Sequence, residues 1–336
     1  MNPLAQNLNN QLVDHCPEIL SMLSNLGQSM YYPKGILSQS ADAKKTKYNA
    51  TIGMATNKNG KMYADTLFDV YNHLSPDEVF PYAPPQGLEA LRDLWQDKML
   101  KENPDLSKET ITRPIVTNAL THGLSLIADL FVESGDTVLV PTHNWGNYKL
   151  IYETRHSANI ETYSIFNQEG HYTTNDLVTT LENFNQDKVI LILNYPNNPT
   201  GYTPNNDEVT TIVSAVRSLA EKGTKVIAVV DDAYYGLFYE DVYRQSIFTA
   251  LNQIESSNIL PIRLDGATKE FFAWGLRVGF LTFGLNNNVA KEVLEAKVKG
   301  LIRSNISSGP MPSQSAIKYV LENHDEFDKE IQQNID

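Results

Sequence analysis

The chain is short of cysteine, of long apolar runs and of positive charge, and it carries no internal repeat or low-complexity tract. Cys16 is the single cysteine in 336 residues, which excludes an intrachain disulfide and a cysteine-based metal site and fits a reducing compartment. No stretch approaches the ~18 uninterrupted apolar residues that a membrane-crossing helix needs. The N-terminus, MNPLAQNLNNQLVDHC, has neither a basic start nor an apolar core of signal-peptide length. These absences predict a soluble, cytoplasmic protein without a membrane partner. Basic side chains are outnumbered 27 to 40 by acidic ones, a formal charge of -13, so the surface repels phosphate backbones and no nucleic-acid partner is expected.

What is present is globular. Hydrophobic residues make up 41% and charged residues 20%, enough apolar material for a packed core. The length exceeds one small core and suits a large domain plus part of a second. From about Leu88 helical and strand-like segments alternate, the mark of a parallel sheet covered by helices on both faces. Helices are expected over 88–101, 121–133, 145–156, 175–183 and 207–222. Strands are expected over 113–117, 137–140, 159–163, 188–193, 226–230, 260–264 and 278–283. VILIL at 189–193 and VIAVV at 226–230 carry no polar alternation, as in strands buried on both faces. We divide the chain into an arm with part of a small domain (1–75), a large domain (76–310) and the start of a C-terminal small domain (311–336).

Three polar clusters follow apolar strands, and ligands of open α/β sheets collect at strand carboxyl ends. In DGATKEFFAWGLRVGF at 265–280, Lys269 follows Gly266, Ala267 and Thr268, and Arg277 lies between Gly275 and Gly279. A lysine that bonds covalently to a carbonyl must be reachable and able to lose its proton, and an arginine fork suits a phosphate dianion. Taken alone, a lysine and an arginine in a loop are more often surface charges. In VVDDAYYGLFY at 229–239 a buried strand runs into two aspartates. A buried acid needs a cationic or hydrogen-bonding partner, such as a protonated pyridine nitrogen; the alternative is a helix cap by Asp231 or Asp232. LNYPNNPTGYTP at 193–204 is a rigid turn with side-chain amides to donate.

NPTG at 198–201, Asp231 with Ala233 and Tyr234, and Lys269 followed by Arg277 together resemble the signature residues of the class I/II, fold-type I aminotransferases. The match covers roughly 50–336 and is similar above all to the aspartate and aromatic subgroup. The resemblance implies an α/β fold, a mainly parallel seven-stranded sheet sandwiched by helices, with a smaller domain that is incomplete in this chain. It implies pyridoxal 5'-phosphate held as a Schiff base by Lys269, which then shuttles a proton between the substrate alpha carbon and the cofactor's C4′. Asp231 would pair with the ring nitrogen, Tyr234 and Asn198 would bond the phenolic oxygen, and Arg277 would clamp the phosphate. Ala119, Leu120 and Thr121 in TNALTHGL occupy the place of the phosphate loop, without its usual glycine or serine at the first position. Gly266 stands where the family commonly has a phosphate-binding serine, and Thr268 is the candidate to supply the lost hydroxyl.

Further matches are Trp145 in NWGNY, the expected ring-stacking aromatic, with His143 as its substitute, and Tyr82 in YAPPQG, expected to reach the phosphate of a neighbouring subunit in a homodimer. Arg303 in LIRSNISSGP matches a substrate-binding arginine for a distal carboxylate, or is a solvent-facing helix-end arginine. Gly53 in TIGMA matches a small residue beside the substrate, or is a turn glycine. The arginine for the substrate's alpha-carboxylate would lie beyond Asp336, and the chain is expected to be truncated by roughly 80 residues relative to a complete family member. The expected activity is amino transfer between an L-amino acid, acidic or aromatic, and a 2-oxo acid such as 2-oxoglutarate. The alternatives are a lyase or decarboxylase on the same machinery and, in another class, a ligand-sensing domain of a transcription regulator, which the missing basic module disfavours.

Overall fold

A computed structural model describes residues 1–32, 42–47, 54–57 and 60–335. A two-stranded antiparallel pair, β1 (Thr56–Asn57) and β2 (Gly60–Lys61), precedes the main sheet. The sheet comprises β3 (Ile115–Asn118), β4 (Thr137–Pro141), β5 (Asn159–Tyr163), β6 (Lys188–Asn194), β7 (Lys225–Asp231), β8 (Ile259–Asp265) and β9 (Val278–Phe283). Its order is β3-β9-β8-β7-β6-β4-β5. Within it β9 runs against both neighbours and the other pairings are parallel, so the sheet is mainly parallel, as the alternation of elements predicts.

The apolar runs become strands because both faces are covered. Successive side chains of a strand point to opposite faces. Leu191 and Leu193 of β6 join Val216 and Leu219 of the helix Asn206–Glu221 in one cluster, while Ile190 and Ile192 join Leu124 and Ile127 of the helix Ala119–Phe131 in another. Each such side chain contributes about 1.5–3 kcal/mol on burial. The helix Asn206–Glu221 starts where Asn205 and Glu208 close a reciprocal capping box. A third cluster joins the helix Glu89–Glu102 to the helices Met311–Glu322 and His324–Ile335 through Trp95, Ala316, Ile317 and Phe327, with Trp95 stacked on Phe280 at 4.0 Å.

Two expected elements differ in detail. The strand expected at 113–117 begins at Ile115, because Pro114 has no N–H for the ladder and its carbonyl accepts Arg92 Nε at 2.8 Å instead. The helix expected over 145–156 is π-helical at Lys149–Thr154, a wider turn of the kind found near functional sites. It goes with the burial of Tyr148, Ile151 and Tyr152.

The site is positioned by register. Asn194 lies beside Asp231, and Asp231 beside Leu264, so β6, β7 and β8 end together at one edge. Among the described residues no helix is long and apolar enough to cross a membrane, and no group of His, Cys, Asp or Glu could hold a metal ion.

Candidate active site

Asp231 ends β7 fully inside the protein, and its carboxylate is held by neutral donors. Tyr148 Oη donates to Oδ2 at 2.6 Å and the Ala233 N–H donates to Oδ1 at 3.2 Å. Asn194 Nδ2 donates to the Asp231 carbonyl at 2.8 Å, while Asn194 Oδ1 accepts the Asn198 N–H at 2.7 Å. One asparagine thus ties the NPTG turn to the strand that carries the acid. Burial pushes the Asp231 carboxyl up, against the Tyr148 and Ala233 hydrogen bonds and the nearby Lys269 charge, which favour the carboxylate. Such an acid gains from a cation set against it.

Lys269 supplies the opposite charge. It sits on the helix Ala267–Glu270, one turn past the end of β8, with Nζ 5.3 Å from the Tyr234 ring centroid. Burial and the Arg277 guanidinium push its amine pKa down, and Asp231 pulls it up. A larger share of free amine than an exposed lysine offers is what attack on a carbonyl requires. Burial also raises the Tyr234 phenol, with Asp231 adding to the effect. Lys269, Asp231, Arg277 and Tyr234, separated in sequence, therefore stand in one electrostatic neighbourhood.

The start of the helix Ala119–Phe131 meets the same place. Ala119, at φ 60°, donates its N–H to the carbonyl of Arg277, itself at φ 56°, over 2.9 Å. Both residues hold the left-handed conformation that costs a non-glycine residue energy, a strain typical of ligand sites. Gly279 is required here: a Cβ on it would lie 2.8 Å from the Ala119 carbonyl carbon. A Cβ on Gly266 would lie 2.7 Å from Gly279 Cα and from the Val278 carbonyl oxygen, so backbone packing excludes the family's serine at this position. The Thr268 hydroxyl and the Asn118 side-chain oxygen are buried without a protein partner. Such orphaned groups call for a ligand or water. A phosphate-bearing pyridine aldehyde fits this set: an amine with a lowered pKa, a buried acid without a cation in contact, an arginine, and a free hydroxyl beside a helix start.

Trp145 and His143 diverge. The Trp145 ring packs edge-on against Tyr148 at 5.7 Å, beside the phenol that holds Asp231. His143 is exposed, packs against Phe166 at 5.5 Å and accepts Asn197 Nδ2 with its carbonyl. Tyr82 is 91% exposed and touches none of these groups, and Arg303 is exposed and bonded to Ser307. Gly53 lies outside the described residues. Tyr148, Tyr152 and Asn194 are absent from the residues expected on sequence grounds. The signal that could have found Tyr148 is its spacing from Ile151 and Tyr152 on one apolar helix face.

The chain is similar to known proteins. A family model described as aminotransferase class I and II matches residues 52–336. The aromatic-amino-acid aminotransferase of Escherichia coli strain K12 is 25% identical over 291 residues, covering 83% of this chain and 70% of that protein. A histidinol-phosphate aminotransferase of Ruminiclostridium cellulolyticum is 28% identical over 236 residues, 70% of this chain and 56% of its own length. The cytoplasmic aspartate aminotransferase of Caenorhabditis elegans is 23% identical over 285 residues, 82% and 67%. The solved aminotransferase of Anaerococcus prevotii superposes with a TM-score of 0.81 at 21% identity, over 90% of this chain and 76% of that one, a likeness of fold. With the family model covering most of its length, the chain belongs to the class I and II aminotransferases, pyridoxal-phosphate-dependent enzymes of fold type I.

Proposed function

We propose that this chain transfers an amino group between an L-amino acid, acidic or aromatic by preference, and a 2-oxo acid such as 2-oxoglutarate, with Lys269 as its catalytic residue. The observation that carries the reading is the placement of Lys269 Nζ 5.3 Å from the Tyr234 ring, on the helix that follows β8, whose end lies beside Asp231 at the end of β7. Bound pyridoxal phosphate supplies a sink for the electrons left behind when the substrate's alpha carbon loses its proton.

The chain's own residues do the rest. Lys269 Nζ anchors the cofactor, then takes and returns the alpha-carbon proton. Asp231, kept in place by Tyr148 and Ala233, presents negative charge to the ring nitrogen. Tyr234 and Asn198 bond the phenolic oxygen. Arg277, the Thr268 hydroxyl and the amides of Leu120 and Thr121 bind the phosphate, Ala119 holding the turn through its own N–H on the Arg277 carbonyl, and Trp145 covers the ring.

A homodimer is part of the proposal. Phe68, Phe80 and Tyr82 are 69%, 83% and 91% exposed, large aromatic side chains that a second copy would cover. Tyr82 would then reach the neighbour's phosphate, and Arg303 the distal carboxylate of a substrate. We read 1–75 as the arm with part of a small domain, 76–310 as the large domain and 311–336 as belonging to the small one. A cytoplasmic location follows the name of the Caenorhabditis elegans relative.

The test is an amino-donor screen with 2-oxoglutarate, read as glutamate formed by pyridoxal-phosphate-loaded protein. Lys269→Ala should lower turnover by about 10²–10⁴-fold, the usual share of a general acid–base group. Turnover that survives Lys269→Ala, or a borohydride-trapped adduct still present in that variant, refutes the assignment.

A further inference from the structure

Each of three site residues is followed at once by a residue of a second polar layer, buried at Asp232 and Tyr235 and part-buried at Glu270: Asp231 by Asp232, Tyr234 by Tyr235, Lys269 by Glu270. Arg263 of β8 joins the first two. Its Nε donates to Asp232 Oδ2 at 2.7 Å, one terminal nitrogen lies 3.5 Å from Asp265 Oδ2, and its guanidinium stands 4.6 Å over the Tyr235 ring. Trp95 Nε1 donates to the same Asp265 oxygen at 3.1 Å. One turn on in that helix, Lys98 pairs with Glu102 at 2.5 Å and with Glu270, and its ammonium lies 5.1 Å from the Trp95 ring and 5.7 Å from that of Phe271.

Stability alone does not account for this layer. Four carboxylates, Glu102, Asp232, Asp265 and Glu270, face two cations, Lys98 and Arg263, and the Arg263 terminal nitrogens and Asp265 Oδ1 lack hydrogen-bond partners. Buried ion clusters of this kind are commonly no more stabilising than apolar packing in their place. What the layer does provide is direction. The helix bearing Lys269 has four residues, too few to hold its own shape in isolation. Ala267 at its start and Phe271 just after it are anchored in the third core cluster, and its last residue, Glu270, is gripped by Lys98.

We propose that Glu270, clamped by Lys98, is a positioning residue that fixes the Lys269 amine relative to Asp231, the Arg263–Asp232 pair fixing the other side. The inference rests on the reading of Lys269 as the cofactor lysine. The step it serves is addition of Nζ to the cofactor's aldehyde carbon, which forms a carbon–nitrogen double bond and releases the carbonyl oxygen as water. A misplacement on the order of 1 Å costs such a step about 10²-fold.

The experiment separates attachment from binding. The rate of covalent attachment of pyridoxal 5′-phosphate is followed by absorbance and by borohydride-trapped mass. Affinity is measured with 4-deoxypyridoxine 5′-phosphate, which has no aldehyde. Glu270→Gln should slow attachment at least about tenfold, part of the misplacement penalty, and leave the deoxy-analogue Kd within about twofold. Asn287→Ala, which removes the N-cap of the helix Asn288–Asn305 after the far end of β9, should lower the Tm without slowing attachment. If Glu270→Gln does not fold, Glu270→Asp takes its place, because the carboxylate is drawn back by one methylene and the same loss is expected. Wild-type attachment rates in the Glu270 variant overturn the proposal, as does a parallel loss of rate and affinity. Wild-type protein that binds the deoxy analogue but never attaches pyridoxal phosphate removes the functional reading itself, and the proposal with it.

Discussion

A serine or alanine at position 266 would place a Cβ 2.7 Å from Gly279 Cα, 2.7 Å from the Val278 carbonyl oxygen and 3.2 Å from Leu120 Cδ1. Favourable contacts between such atoms begin near ~3.5 Å, so two of the three are too short by about 0.8 Å. Two of the obstacles are backbone atoms of β9, whose residue Phe280 is paired with Asp265 of β8, so neither can swing aside as a side chain would. Overpacking of this kind costs about 1–3 kcal/mol. At about 2 °C per kcal/mol for a chain of this size, Gly266→Ala and Gly266→Ser should each lower the Tm by about 2–6 °C without cofactor. The two variants should separate when pyridoxal phosphate is added. A serine hydroxyl that reaches the phosphate returns about 1.5–3 kcal/mol, and alanine returns nothing. Differential scanning calorimetry with and without cofactor checks both halves. If both variants melt at the wild-type temperature, the close approach of β8 and β9 is not what excludes a side chain here, and the argument fails.

Two further outcomes concern the buried acids. Tyr148→Phe leaves Asp231 Oδ2 without its donor, which should cost about 1–3 kcal/mol. The Asp231 carboxyl is already raised by burial and would rise further, so the Tm deficit should be small near pH 4 and widen toward pH 8. A deficit that is constant or larger in acid contradicts this. Burial pushes Asp232 up to about 6, so its stabilising contribution is fully present below its unfolded pKa of 3.8 and is lost as the pH rises through 6. Asp232→Asn should flatten that part of the stability profile in urea unfolding while lowering stability by about 3–5 kcal/mol, because Arg263 loses its closest partner. An unchanged slope between pH 4 and 6 would count against the assignment.

The parts of the fold that sequence exposes are those fixed by local pattern. VILIL and VIAVV have no polar face, and they form β6 and β7 in the middle of the sheet. Lys269, Asp231 and Arg277 were visible for the same reason, as charged residues at the ends of apolar runs. What was hidden depends on partners remote in the chain. Tyr148 is one of 17 tyrosines, and nothing in NWGNY shows that its hydroxyl meets an acid 83 residues later. Arg263 looks like an ordinary strand residue until Asp232 and Asp265 are placed around it. Gly266 could be read as a missing serine, but only the approach of β9 gives the reason for the loss.

The order β3-β9-β8 also sets a timetable for synthesis. Strand β3 has one neighbour in the sheet, and that neighbour is the last of its strands to be made. While the ribosome is still building the middle strands, Asn118 and the first turn of the helix Ala119–Phe131 lack the strand that pairs with β3. The left-handed turn at Ala119 closes only when the carbonyl of Arg277 arrives. A nascent chain stalled before Val278 should therefore remain open to protease around Ala119, and it should become resistant once β9 has emerged and docked.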